Sequence, residues 1–184
     1  MKVFWRDGYR GASIAELTAA MGINKPSLYA TFGGKEELYL KALEHYGATQ
    51  GAGQAGALSG DLPIRDAVAA FLRAAVQSGC DKTNPGGCYV VNALADCGAS
   101  ATPELVAEAT QAAFRASQAA LKERLQRARN EGELVEDADV TALANLFCSV
   151  LTGLALMARS GSSKSALNAV VEQALVALPL ARKK

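Results

Sequence analysis

The chain has 184 residues, half of them hydrophobic and only 6% aromatic, which is enough apolar material for one domain with a sizeable core or two small ones and excludes a disordered chain. Its net charge of +1 excludes a uniformly basic molecule that holds polyanions by bulk electrostatics, so any nucleic-acid contact must be local. Alanine and leucine dominate and apolar residues recur at helical spacing almost throughout, so the expected fold class is all-α.

Within residues 1–35, Lys2, Arg6, Arg10, Lys25 and Lys35 stand against Asp7 and Glu16, a local basic surplus that the rest of the chain reverses. The first complete helix signal is SIAELTAAMG. Ser13 can cap it while Glu16, three residues on, reaches back to the Ser13 N–H, the pattern of a capping box. Ile14, Leu17 and Met21 then share a face, and Gly22 ends the helix in the left-handed region. In the following INKPSLYATFGG, Asn24 is the N-cap of a second helix and Pro26 falls in its first turn, where a missing N–H has no partner to lose. Ile23, Leu28 and Phe32 point to one side; Lys25, Ser27, Tyr29, Ala30 and Thr31 spread over the others. Gly33-Gly34 stops this helix, and a third runs from Lys35 to about Thr49. The glycine-rich GAGQAGALSG reads as a joint, dividing the chain into 1–47 and 48–184. Further helices are expected at about 62–78, 86–97, 103–130, 138–159 and 164–178, with GCDKTNPGG as a loop. No signal peptide and no uninterrupted apolar span of membrane-crossing length is read, and the four cysteines are expected to be reduced thiols of a cytoplasmic protein.

Two short helices joined at a glycine, the second with a polar free face, make a helix-turn-helix. Such a unit projects its second helix into a major groove of double-stranded DNA while flanking groups hold phosphates. Lys25, Pro26 and Ser27 lie at the end of that helix where side chains reach base edges. Tyr29 and Thr31 carry hydroxyls suited to phosphate oxygens, Lys35 adds charge to the free N–H groups that open the next helix, and Ser13 is a further DNA-binding candidate.

The segment VFWRDGYRGASIAELTAAMGINKPSLYATFGGKEELYLKAL resembles the N-terminal DNA-binding segment of the TetR family of transcriptional regulators. The likeness rests on Val3-Phe4, Gly8-Tyr9, Ser13, the Gly22-Ile23 turn, Leu28-Tyr29, Phe32 and Lys35-Glu36, about a quarter of the chain. Three positions differ from the family pattern. A full helix usually precedes the Gly8-Tyr9 turn, so a first helix limited to Met1–Asp7 is expected to be shortened. Thr18 stands where alanine is usual, and Gly34 where an Asn, Asp or Ser cap is usual. The resemblance implies a repressor that binds a palindromic operator as a homodimer and is released by a small-molecule effector. It implies dimerisation through helices 138–159 and 164–178. These carry apolar stripes of Leu143, Leu146, Phe147, Val150, Leu151 and Leu154, then of Leu167, Val170, Val171, Ala174 and Leu178. An effector pocket is expected among helices 62–78, 86–97 and 103–130, with Phe71, Cys88, Tyr89, Asn92 and Phe114 as lining residues, each also a candidate for plain core.

Cys88 follows NPGG at an expected helix N-terminus, where the dipole favours a thiolate, so a thiol-based redox or electrophile sensor is one alternative. A helical ligand binder without DNA binding is the other. The gaps between Cys80, Cys88 and Cys97 do not suit paired zinc ligands, and no metal or cofactor is implied. Cys88 with His45 is the one nucleophile–base combination, and no phosphate loop or paired-carboxylate motif stands out, so no enzyme is expected.

Overall fold

The computed structural model describes residues 1–98 and 101–181; residues 99–100 and 182–184 of the expected 48–184 segment lie outside the described residues. The order of elements is α1 (Lys2–Gly11), α2 (Ile14–Met21), α3 (Lys25–Phe32), α4 (Lys35–Thr49), α5 (Ala52–Ser59), α6 (Ile64–Gly79), α7 (Tyr89–Leu94), α8 (Glu104–Asn130), α9 (Val140–Arg159), α10 (Lys164–Ala174) and a closing 3-10 turn (Leu175–Ala177). Among the described residues the one β contact is an isolated bridge between Leu134 and Leu180.

Three elements differ from the sequence expectation. The GAGQAGALSG stretch is not an open joint: Ala52–Ser59 forms α5, because packing of Ala57 and Leu58 into the core offsets the weak helix propensity of its glycines. The expected helix 86–97 shrinks to Tyr89–Leu94, since Gly86 (φ +91°) and Gly87 (φ +68°) hold left-handed backbone that no helix continues. A Cβ at Gly87 would meet the Ala155 carbonyl oxygen at 2.7 Å, so the loop needs glycine there for space as well. Finally, α9 is by length and composition apolar enough to cross a membrane, contrary to the expectation; it packs instead between α6, α8 and α10 as a core helix.

Two hydrophobic cores result. The larger joins α5, α6, α8, α9 and α10 around Phe71, Leu121, Phe147 and Leu167. The smaller joins α1–α4 to α7 and the start of α8 around Phe4, Trp5, Leu28, Tyr39 and Tyr89. Six aromatic rings form one connected run through the smaller core. Phe4 and Tyr9 of α1 meet Tyr39 of α4 edge to face at 5.2 and 5.6 Å, Tyr39 and Tyr46 each meet Tyr89 of α7 at 5.6 Å, and Trp5 meets Tyr46 at 5.1 Å. Gly8 (φ +71°) makes the bend inside α1 that places Phe4 and Tyr9 on this run, and a Cβ there would collide with the Asp96 carboxylate. Phe4→Ala is expected to destabilise the protein by about 3–5 kcal/mol in urea titration, since it removes a fully buried ring; a loss below about 1 kcal/mol would show that the run does not hold the core.

Candidate nucleic-acid interface

The reading unit is built by two caps and one glycine. The Ser13 hydroxyl accepts the Glu16 N–H at 3.1 Å, and Glu16 Oε2 accepts the Ser13 N–H at 3.0 Å. The hydrogen bonds that the Ser13 hydroxyl and backbone N–H donate to its carboxylate hold Glu16 below its ordinary range. Gly22, at φ +66°, turns the chain so that the Ile23 N–H reaches the Thr18 carbonyl at 3.1 Å. Asn24 Oδ1 then accepts the Ser27 N–H at 2.8 Å and starts α3, with Pro26 in its first turn. Leu17 and Leu28 are buried between the two helices and fix their crossing.

Packed this way, α3 exposes Lys25, Pro26, Tyr29 and Thr31, while Ser27 is half-buried. Tyr29 is 45% exposed, a large aromatic surface for a monomer to leave uncovered, and Lys25 Nζ stands 5.9 Å from its ring centroid. Ser13 is exposed, but its hydroxyl also donates to Glu16 Oε2 at 2.7 Å and is committed to the cap. Lys35 lies 4.4 Å over the Tyr9 ring, and partial burial lowers its pKa from the ordinary lysine value. It opens α4 beside Gly34, which supplies no side-chain cap, so the first-turn N–H groups remain open to an anion; Glu36 and Glu37 share that turn and limit the positive field.

The head is held to the remainder by polar bonds as well as by rings. Trp5 Nε1 donates to the Gly86 carbonyl at 3.0 Å, Asn92 Nδ2 donates to the same oxygen at 3.1 Å, and Lys2 Nζ donates to the Thr83 carbonyl at 2.7 Å. Arg159, at the end of α9, donates to the Trp5 and Arg6 carbonyls at 3.3 and 2.8 Å. The 80–88 loop and the end of α9 therefore both grip α1.

A cavity of about 300 Å³ lies where the two cores meet. Leu43 and Tyr46 of α4 form one wall from the smaller core; Leu58, Phe71 and Leu151 form the opposite wall from the larger. Of the expected lining residues, Phe71, Cys88 and Phe114 reach it. Tyr89 does not, because it is spent in the aromatic run, and Asn92 does not, because its carboxamide holds Gly86. Cys88 precedes a helix of only six residues and makes no cap; its Sγ instead accepts a hydrogen bond from the Tyr46 hydroxyl at 3.2 Å. Burial, then the neighbouring Cys88, pushes the Tyr46 pKa well up, so this phenol stays protonated and able to donate. The walls from α4 and α5, including Tyr46, Gln54 and Leu58, went unread in the sequence; the alternating small residues of GAGQAGALSG were the available signal.

The family description "Bacterial regulatory proteins, tetR family" matches residues 1–42, and "Tetracyclin repressor-like, C-terminal domain" matches residues 65–174. The chain belongs to the TetR family. It is thus a DNA-binding transcriptional regulator and not an enzyme. Among TetR relatives, the transcriptional repressor ComR of Escherichia coli K12 is 29% identical over 166 residues, covering 89% of this chain and 77% of that protein. A cysteine-substituted variant of the TetR-family regulator CifR, solved with 26-base-pair operator DNA, is 40% identical with a TM-score of 0.89, covering 97% of this chain and 92% of that one. A TetR regulator from Rhodococcus sp. RHA1 is 33% identical with a TM-score of 0.68, covering 98% and 96%. These matches run through both cores, the reading head and the cavity-bearing half.

Removing the α3 cap tests the local account of this head. Asn24→Ala is expected to weaken α3 by about 1 kcal/mol, seen as faster amide exchange in residues 25–32 with α8 and α9 unchanged; uniform loss of protection would contradict a local role.

Proposed function

We propose that this TetR regulator is a repressor acting in the cytoplasm, which binds a palindromic operator as a homodimer and is released when a small molecule fills the cavity between its cores. Residues 1–47 are the reading head and 48–184 the effector and dimerisation half. The observation that carries the reading is the free face of α3: Lys25, Pro26, Tyr29 and Thr31 stand exposed on a helix whose other side packs through buried Leu28 and half-buried Phe32. Lys25 and Ser27 are the base-edge contacts; Tyr29, Thr31 and Lys35 hold phosphates, and Ser13 sets the N-terminus of α2.

Dimerisation is supported by what α9 and α10 leave uncovered. Leu143, Phe147, Leu151, Leu154, Leu167 and Val171 of the expected stripes face inward and belong to the protomer's own core. A second face of α9 carries Leu146, Val150, Gly153 and Met157 at spacings of four, three and four, with Leu146 and Met157 exposed. Nothing lies within 4 Å of a Cβ added at Gly153, which leaves room for close approach of another backbone, and Val170 extends the apolar surface onto α10.

Lys35→Ala is expected to weaken binding to all duplexes alike and to reduce the slope of log affinity against log salt by about one, while Lys25→Ala alters the preference among bases. Fluorescence anisotropy with the DNA flanking the gene, against a scrambled duplex, measures both. Equal affinity of the unaltered chain for the two duplexes at low salt would refute the operator reading.

A second reading, a thiol sensor, is favoured by one contact: Cys88 lies on the cavity wall and its Sγ accepts from Tyr46 of α4, the helix that continues the head. In that reading Cys88→Ser retains DNA binding and loses release by hydrogen peroxide. Release that persists in the variant eliminates it.

A further inference from the structure

The chemistry of the cavity wall narrows what can fill it, resting on the effector reading above. Among the described residues, no carboxylate, ammonium, guanidinium or imidazole lines the space. Its surface is mostly hydrocarbon and ring: Leu43, Leu58, Val91 and Leu151, with Phe71 and Phe114 offering aromatic faces. The polar groups are few and neutral. Tyr46 and Cys88 bond each other across α4 and the start of α7, whereas the side chains of Gln54 and Ser117 make no hydrogen bond among the described residues and are free to meet a guest.

An ion transferred to such a wall loses its hydration and gains no countercharge, a penalty that apolar contact in a small cavity does not offset. The cations nearest the cavity do not change this. Arg124, 4% exposed, lines an adjoining hollow beside α5 and α8 and not this cavity; its Nη2 pairs with Glu133 at 3.1 Å and donates to the Leu62 carbonyl at 2.6 Å, while its Nε and Nη1 are buried without a partner among the described residues. Arg127 there donates to the Gly60 carbonyl, and Glu123 adds a negative charge to the same hollow.

We infer that the effector is an uncharged, predominantly hydrocarbon small molecule, with one or two hydrogen-bonding oxygen or nitrogen atoms that meet Gln54, Ser117 or the Tyr46–Cys88 pair. A volume of about 300 Å³ is at the lower end for ligand sites, so the molecule is compact. Its binding face spans α4, the last helix of the head, and α7, which the aromatic run joins to α4.

The test uses the full chain without DNA, so that its outcome is independent of operator binding. Calorimetry and thermal shift are measured with 4-phenylbutanol, 4-phenylbutyrate and 4-phenylbutylamine, which share a skeleton and differ in charge, at neutral pH. The alcohol is expected to bind saturably and at least tenfold more tightly than the acid or the amine. Two cavity-filling variants, Ala113→Phe and Ser117→Phe, are expected to abolish that binding while keeping the helical circular dichroism of the unaltered chain. Preference for the acid or the amine, alcohol binding that survives in a folded filling variant, or no saturable binding of any of the three would overturn the inference. If the alcohol binds as expected yet leaves DNA affinity unchanged, the ligand class stands and the effector reading fails.

Discussion

The run of edge-to-face rings from Phe4 through Tyr39 and Tyr89 to Tyr46 and Trp5 is the contact on which the rest of the molecule depends. The first three helices are too small to bury a core of their own: α1–α3 contribute few fully buried side chains and become stable by packing on α4 and α7. Aromatic pairs are well suited to this role, because each buries a large area and also prefers a definite mutual angle. Tyr39 adds a directional bond, since its hydroxyl meets Thr110 of α8 at 2.7 Å while Thr110 donates onward to the Val106 carbonyl. The head is therefore oriented by rings and by hydrogen bonds together, with little freedom to tilt independently of α7.

That orientation gives the cavity its importance. Tyr46 belongs to the ring run and to the cavity wall at once, and Cys88 lies on the wall two residues after Gly86, the residue that Trp5 and Asn92 grip. A molecule entering the cavity has to be accommodated between two packed cores, and packed cores respond by shifting between arrangements more readily than by deforming. In the proposed effector-released repressor, differential affinity for those arrangements is all that is needed to couple occupancy to the setting of α3, and such coupling is reciprocal: DNA would weaken the effector as much as the effector weakens DNA.

How much of this was legible in the sequence follows from the range of each interaction. The helix-turn-helix could be read closely, because Ser13 with Glu16, Gly22, and Asn24 with Pro26 act within four residues of themselves. The all-α class and the long α8 and α9 followed from spacing in the same way. The cavity could not be read, since its walls come from segments as far apart as Leu43 and Leu151 and only packing brings them together. The GAGQAGALSG stretch misled for a related reason: its glycines argue locally against a helix, and the burial of Ala57 and Leu58 that overrides them is a tertiary fact. Cys88, Phe71 and Phe114, expected at a pocket from the family resemblance, do line the cavity, whereas Tyr89 is absorbed by a ring cluster that no single segment announces.

Trp5, the chain's one tryptophan, reports on this junction directly, being buried against Tyr46 and bonded to Gly86. The decisive measurement is its fluorescence as 4-phenylbutanol is titrated into the full chain, with calorimetry on the same samples. Coupling through the ring run predicts a saturable change in Trp5 emission that follows calorimetric occupancy and is absent in Ala113→Phe. Calorimetric saturation with unchanged Trp5 emission would contradict it.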